Sequence, residues 1–430
     1  MLKERSRVRT ITEAVRDSSS MIGRGVLQDL RRTNVRRARA YVPRTNFDPT
    51  HPDVIADPFP QLARLRENRV AVNERLNVWM LSRYDDVVAA ARDHNTLSSA
   101  SGILLRSMPM PGVVSTDEPD HTRLRRIAAP SFTPAAVRRL EDTLSDISKR
   151  GVETLLSGAT VDAVAALTVP LPVAAIAVIL GVDEARRGEF QRYSDDFRSV
   201  FAVSSLSGMT RSTARALPGM LAMRGLILDE LARRTTTPTD DVFGRIRTAL
   251  DGGEMSMLEA MTAAMILLVA GSETTTNLLG ILLMQLARDP ALYDRLRDDR
   301  DLIGAATEEA LRWGCPVQWV GRTAQAPYRV GDVVIPPRSR VVLFYASANH
   351  DPERFSRPEE FDIDRGGAGH VTFGHGAHFC MGAHLARMEV RIALNQILDA
   401  AERIELAGPV TWTTTPSLSG PTSVPIRMVR

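Results

Sequence analysis

The 430-residue chain predicts a mainly helical fold with a small β-rich region. Three observations predict it. Between 135 and 234, apolar residues recur at helical spacing in successive stretches. The run Ser256–Ala287 is apolar on nearly all sides, as a helix buried at the centre of a domain is. Strand-like stretches are short, near 70–81, 328–343 and 410–430. Hydrophobic residues are 44% and charged residues 24%, an ordinary balance for a globular chain of this size that buries a substantial core. A net charge of +3 gives nucleic-acid binding no support. Two cysteines, Cys315 and Cys380, make no disulfide framework and fit a reducing compartment, so a cytoplasmic location is expected. The longest apolar runs, Leu171–Val182 and Ala263–Ala270, are short of a membrane span, and no secretory layout is present.

Residues 1–40 are rich in arginine and read as a basic extension, flexible or docked on the surface. Thr10-Ile11-Thr12-Glu13 fits a capping box, and Ile11, Val15, Ile22, Val26 and Leu30 form a weak apolar stripe. The sharper reading is a basic amphipathic segment touching an anionic surface or an acidic partner. Residues 41–430 read as a single domain. Val70–Val72 and Val78–Leu81 make a hairpin around Asn77. Ser98–Val114 has no steady period, and so long an irregular loop is often functional. His121 and Arg125 share a helix face four residues apart, able to donate to a carboxylate or simply to be solvated. Helices are expected over 135–157, 163–181, 184–200 and 217–234, with an irregular, mobile connection from Phe201 to Leu217.

Inside the long apolar run lies Ala270-Gly271-Ser272-Glu273-Thr274-Thr275. A glycine costs a helix about 1 kcal/mol, and an acid with two threonines in an apolar interior is also costly. Thr274 can bond back to the carbonyl of Ala270, loosening the ladder into a groove. Glu308-Glu309-Ala310-Leu311-Arg312 puts Glu309 and Arg312 three apart on one face. Residues 328–343 read as a small sheet around Gly331 and Pro336-Pro337. Val410–Arg430 reads as a terminal hairpin with its tip near Ser417-Leu418.

The most informative stretch is Phe373-Gly374-His375-Gly376-Ala377-His378-Phe379-Cys380-Met381-Gly382-Ala383-His384-Leu385-Ala386-Arg387. Leu385, Met388, Ile392 and Leu398 continue it as a helix, so Cys380 stands where a loop becomes a helix. Unpaired N–H groups and the helix dipole favour a thiolate there. A buried structural cysteine, or zinc held with His375, His378 and His384, are the competing readings. The string resembles the cysteine-ligand loop of the cytochrome P450 family, F-G-x-G-x-H-x-C-x-G-x-x-L-A-R, at every specified position.

That resemblance spans roughly residues 43–430, and it implies the triangular prism of helices around a buried haem. It implies haem b with Cys380 as the iron ligand. Phe373, Gly374 and Gly382 would lie beside the sulfur, and His121, Arg125, Arg322 and His378 would hold the propionates. Glu273 and Thr274 match the oxygen-activating signature, and Glu309 and Arg312 the supporting E-x-x-R pair. The position that usually gives this pair an Arg or His is Glu360 here, so either Arg354 or Arg365 takes over or the pair stands alone. The implied activity is insertion of one oxygen atom from O2 into a small or medium apolar molecule. Electrons would come from NAD(P)H through a ferredoxin-type donor, with Arg387 and Arg391 helping to dock it. Peroxide-driven chemistry or a non-catalytic haem or metal-binding role are the alternatives. The expected substrate lining is Ile103, Leu104, Phe201, Ile266, Ala270, Val317, Gln318 and Leu418, and Arg106 is a candidate carboxylate acceptor.

Overall fold

The computed structural model describes residues 20–21, 23–38, 41–198, 206–366 and 369–430. Its core forms two apolar clusters, one around the helix Met257–Arg288 and one around a five-stranded sheet. The central helix starts on a capping box. Ser256 Oγ accepts from the Glu259 N–H at 3.3 Å, and the Glu259 carboxylate accepts from the Ser256 N–H at 2.7 Å. Twenty of its residues are buried, because helices pack on most of its faces. Among the described residues it alone is long and apolar enough to cross a membrane, and its burial marks it as the core helix of this domain.

The sheet has the order Val70–Asn73, Val78–Leu81, Arg340–Leu343, Val320–Ala324, Leu97–Ser98. The expected hairpin is present, with Val70 opposite Leu81 and Asn77 in the left-handed conformation that its turn requires (φ 55°). Val78–Leu81 then pairs parallel to Arg340–Leu343, which lies antiparallel to Val320–Ala324. The chain end forms further small sheets. Thr411–Trp412 pairs with Pro421–Ser423, and Pro425–Val429 pairs with Arg403–Leu406 and Val161–Asp162.

Several helices differ from the sequence reading. The 135–157 pattern divides into Pro134–Arg138 and Glu141–Leu155. The 163–181 pattern begins as a wide π turn, Val164–Thr168, before the α-helix Pro170–Leu180. Pro170 and Pro172 lack N–H groups, so a normal ladder cannot run through them. Thr276 of the central helix donates to the freed Thr168 carbonyl at 2.8 Å. The connection expected to be irregular as far as Leu217 is helical from Leu206, in Leu206–Thr236, which runs through Pro218 and packs along Arg187–Arg198. Its weak apolar period concealed a stretch containing Met209, Ala214, Ala216 and Leu217, all good helix formers. Phe201 and the Thr10–Glu13 capping box lie outside the described residues.

Candidate active site

One cavity lies between the central helix and the loop that carries Cys380. Ala263, Ile266, Leu267, Ala270, Gly271, Thr274 and Leu278 line one side at helical spacing. Phe373, Gly374, His378, Cys380 and Gly382 line the other. Ala270 is exposed between buried Leu268, Val269, Ser272 and Glu273, and it borders this space. Gly271 has a packing role: a Cβ there would collide with Ile176 on Pro170–Leu180, so glycine allows the two helices their close approach.

Thr274 Oγ1 donates to the Ala270 carbonyl at 2.7 Å. The helix runs unbroken from Met257 to Arg288 through this bond. Thr274 borders the cavity, and Glu273 is buried one residue off its wall.

The cysteine loop is shaped by glycine. Gly374 and Gly376 have φ of 71° and 69°, and a Cβ on Gly376 would press on the backbone of Arg92. These turns bring the Cys380 N–H to the Phe373 carbonyl at 2.8 Å, fixing the thiol. The helix Ala383–Ala400 begins three residues later. Burial pushes the Cys380 thiol pKa up, while the Gly382 N–H, Arg125 and Arg387 favour its anion. Arg387 stacks over the Phe373 ring at 4.7 Å. Cys315 is fully buried, and burial pushes its thiol up to about 12, so it stays neutral and inert.

Cationic and imidazole groups gather at the cavity edge. The His121 and His378 rings are 4.4 Å apart, and His378 Nε2 meets Ser99 Oγ at 3.1 Å. Burial, with Arg322, His121 and other basic groups nearby, pushes His378 down to about 3. Arg322 is buried on Val320–Ala324, where it donates to the Gly321 carbonyl. Arg125 donates to the Phe379 carbonyl at 2.8 Å. His121 Nδ1 meets Glu118 at 3.2 Å, and among the described residues its buried Nε2 has no hydrogen-bond partner. Among the described residues, neither Arg125 nor Arg322 forms an ion pair with a carboxylate of this chain. The set fits haem: Cys380 would hold its iron, and these cationic and imidazole groups would hold its carboxylates.

Behind the cysteine loop, Glu309 and Arg312 are both fully buried and joined twice at 2.8 Å. Arg312 also donates to the carbonyls of Asn349, Pro358 and Glu360. Arg365 supplies the additional cation, 3.4 Å from Glu309. Arg354 instead lies over the Tyr84 and Phe355 rings, and the Glu360 side chain pairs with Arg357. Arg387 and Arg391, expected to face a partner, are paired with Glu308 and Glu141 at 2.6 and 2.8 Å. Arg387 and His370 hold Glu308 down to about 2 against the effect of burial.

Of the expected substrate-lining residues, Ile103, Ile266, Ala270 and Val317 reach the cavity. Leu104, Gln318 and Leu418 do not. Gln318 turns away to donate to the Cys315 carbonyl, as alternation in an extended segment requires after Val317. Leu418 is bridged to Val317 one layer out and borders a separate crevice with Gln318. Ile176 and Ile246 line the cavity from helices that no local motif connects to it.

Known proteins place this arrangement. The cytochrome P450 family model matches residues 230–402. The β-dihydromenaquinone-9 omega-hydroxylase of Mycobacterium tuberculosis is 35% identical over 98% of this chain and 86% of its own length. Cytochrome P450 107B1 of Saccharopolyspora erythraea is 34% identical over 87% of this chain and 98% of its own. The structure of cytochrome P450 CYP109Q5 from Chondromyces apiculatus superposes with a TM-score of 0.76 at 32% identity, covering 89% and 98%. With a cysteine-bearing loop facing a threonine-bearing central helix, and relatives that match it nearly end to end, the chain belongs to the cytochrome P450 family of haem-dependent monooxygenases.

Proposed function

We propose that the chain is a haem-thiolate monooxygenase that oxidises a small or medium apolar molecule, by hydroxylation or a related oxygen insertion. The observation that carries this is Cys380 and Thr274 on opposite walls of one apolar cavity. The Mycobacterium tuberculosis relative is named as a hydroxylase, which agrees with C–H oxidation here. Bound haem with an anionic sulfur ligand supplies reductive activation of dioxygen and favours O–O cleavage.

The chain's own residues supply placement and protons. Cys380 ligates the iron, and the Gly382 N–H tempers the sulfur by hydrogen bonding. His121, Arg125, Arg322 and His378 hold the propionates of haem b. Phe373 and Gly374 cover the sulfur side. Thr274 and Glu273 move a proton toward the oxygen side, and the Thr274 hydroxyl is already oriented by Ala270. Glu309 and Arg312 hold the segments behind the cysteine loop. Electrons come from a ferredoxin-type donor and ultimately from NAD(P)H.

Thr274→Ala is expected to keep consuming reductant while product per reductant falls, since the proton path and not the haem site is lost. Simultaneous assay of reductant oxidation and product checks this, and unchanged coupling sinks the role. Arg322→Ala is expected to bind haem about tenfold more weakly, the worth of one hydrogen bond to a charged group. Haem transfer to apomyoglobin measures it.

The overall reading is tested by the spectrum of the reduced carbon-monoxide complex, followed by turnover with a ferredoxin, its reductase and NADPH. A thiolate-type band and reductant-driven product support it. Absence of the band overturns it, and product formed only with hydrogen peroxide favours the peroxygenase alternative.

A further inference from the structure

We propose that Asp29 and Arg32, in the basic N-terminal segment, are positioning residues for the substrate pocket. They strap down the loop Gly102–Gly112, whose neighbour Val113 and own Ile103 stand on the cavity wall. The proposal rests on reading that cavity as the substrate site.

The loop is pinned from two sides. On the inner side, buried Arg340 donates to the carbonyls of Gly102 and Leu104, and the Gly321 N–H donates to Ile103 at 2.6 Å. At its end Gly112 lies so close to the central helix that a Cβ would sit 2.7 Å from Ile266. Those anchors fix residues 102–104 and 112. Between them the loop makes few hydrogen bonds of its own. The Met108 N–H reaches back to Ser101, and the Gly112 N–H reaches Met110.

The N-terminal segment supplies the rest, and it does so at Ser107. Asp29 accepts the Ser107 N–H at 3.0 Å. Arg32 donates to Ser107 Oγ and to the Leu105 carbonyl, both at 3.0 Å. Residues 23–30 are helical, and a Cβ on Gly25 would collide with the Ser107 carbonyl, so this helix backbone lies directly against the loop. Asp29 is itself held by Arg32 at 2.6 Å and approached by Arg106 at 3.7 Å. The segment is in turn tethered to the sheet. Thr33 donates to the carbonyls of Pro337 and Arg338 from its hydroxyl and its N–H, and Val35 enters the core beside the sheet residues. Force on the loop is thereby carried to a rigid element. Arg106, the candidate substrate acceptor in the sequence, is turned toward Asp29 on the outer side of the loop.

A strap of this kind acts on ligands large enough to press on the loop and spares small ones. Asp29→Ala is therefore expected to speed amide hydrogen exchange in residues 105–110 about tenfold, because one hydrogen bond to a charged group is lost. Clotrimazole, a bulky azole, is expected to bind about fivefold more weakly by Soret shift, since the loop must now be ordered on binding. Imidazole is expected to bind unchanged. Asp29→Asn keeps an acceptor for the Ser107 N–H and is expected to restore most of the protection. Gly25→Val, which displaces the segment without touching its charges, is expected to reproduce the Asp29→Ala pattern. Exchange and azole binding both unchanged in Asp29→Ala and Gly25→Val would overturn the proposal. So would an equal loss of clotrimazole and imidazole, which signals general damage to the haem site. If the parent protein showed no thiolate-type spectrum, the reading of the cavity would fall, while the exchange measurements would still judge the strap.

Discussion

Cys380→Ala is expected to purify folded, to lose every thiolate-type spectral feature, and to form product about a thousandfold more slowly or not at all. The physical reason lies in the two walls of the cavity. Among the described residues lining the cavity there is no Asp or Glu. His378 is held neutral with its Nε2 on Ser99, and the nearby guanidiniums are cationic. The substitution should cost only about 1 kcal/mol of stability, because a small partly buried side chain is exchanged for another and the backbone bond from Cys380 N–H to Phe373 survives. Denaturant unfolding together with the carbon-monoxide difference spectrum separates loss of chemistry from loss of fold. A Cys380→Ala protein that kept the thiolate band would exclude this sulfur as the ligand.

Arg312→Ala has the largest expected effect on stability. Both charges of the Glu309–Arg312 pair are fully buried, so removing one leaves the other without its partner in a poorly polarisable interior. Such removal costs about 3–5 kcal/mol. The whole domain has only about 5–15 kcal/mol to lose. Here the carbonyls of Asn349, Pro358 and Glu360 also lose their donor. Arg365, 3.4 Å from Glu309, offsets part of the charge but reaches none of the Asn349 and Pro358 carbonyls. Arg312→Lys should rescue little, because a point charge cannot serve two carboxylate oxygens and three carbonyls at once. The midpoint of urea unfolding checks both variants, and an unchanged midpoint in Arg312→Ala would show that the network carries no net stability.

The parts of the site that were legible in the sequence are those built from neighbours along the chain. Gly374, Gly376 and Cys380 form one tight loop, and Thr274 bonds within its own helix turn. Glu309 and Arg312 share one helix face, so their pairing follows from a spacing of three. The parts that were not legible depend on distant segments. Whether Arg354 or Arg365 joins Glu309 is decided by how the chain folds after Pro358. The helix from Leu206 was hidden because its apolar period is weak and its partner helix had to be known first. The wide turn before Pro170 needed Thr276, more than a hundred residues away, to satisfy the Thr168 carbonyl.

By itself, then, the sequence determined the glycine-shaped loop carrying Cys380, the central helix with its threonine, and the resemblance to the family, because each rests on local backbone geometry and a fixed residue spacing. Only the tertiary structure decided which side chains wall the cavity, how Arg340 and the Asp29–Arg32 segment grip the loop above it, and that Arg387 and Arg391 are already paired. Those outcomes depend on packing and charge compensation between segments far apart in the chain, and no local pattern encodes them.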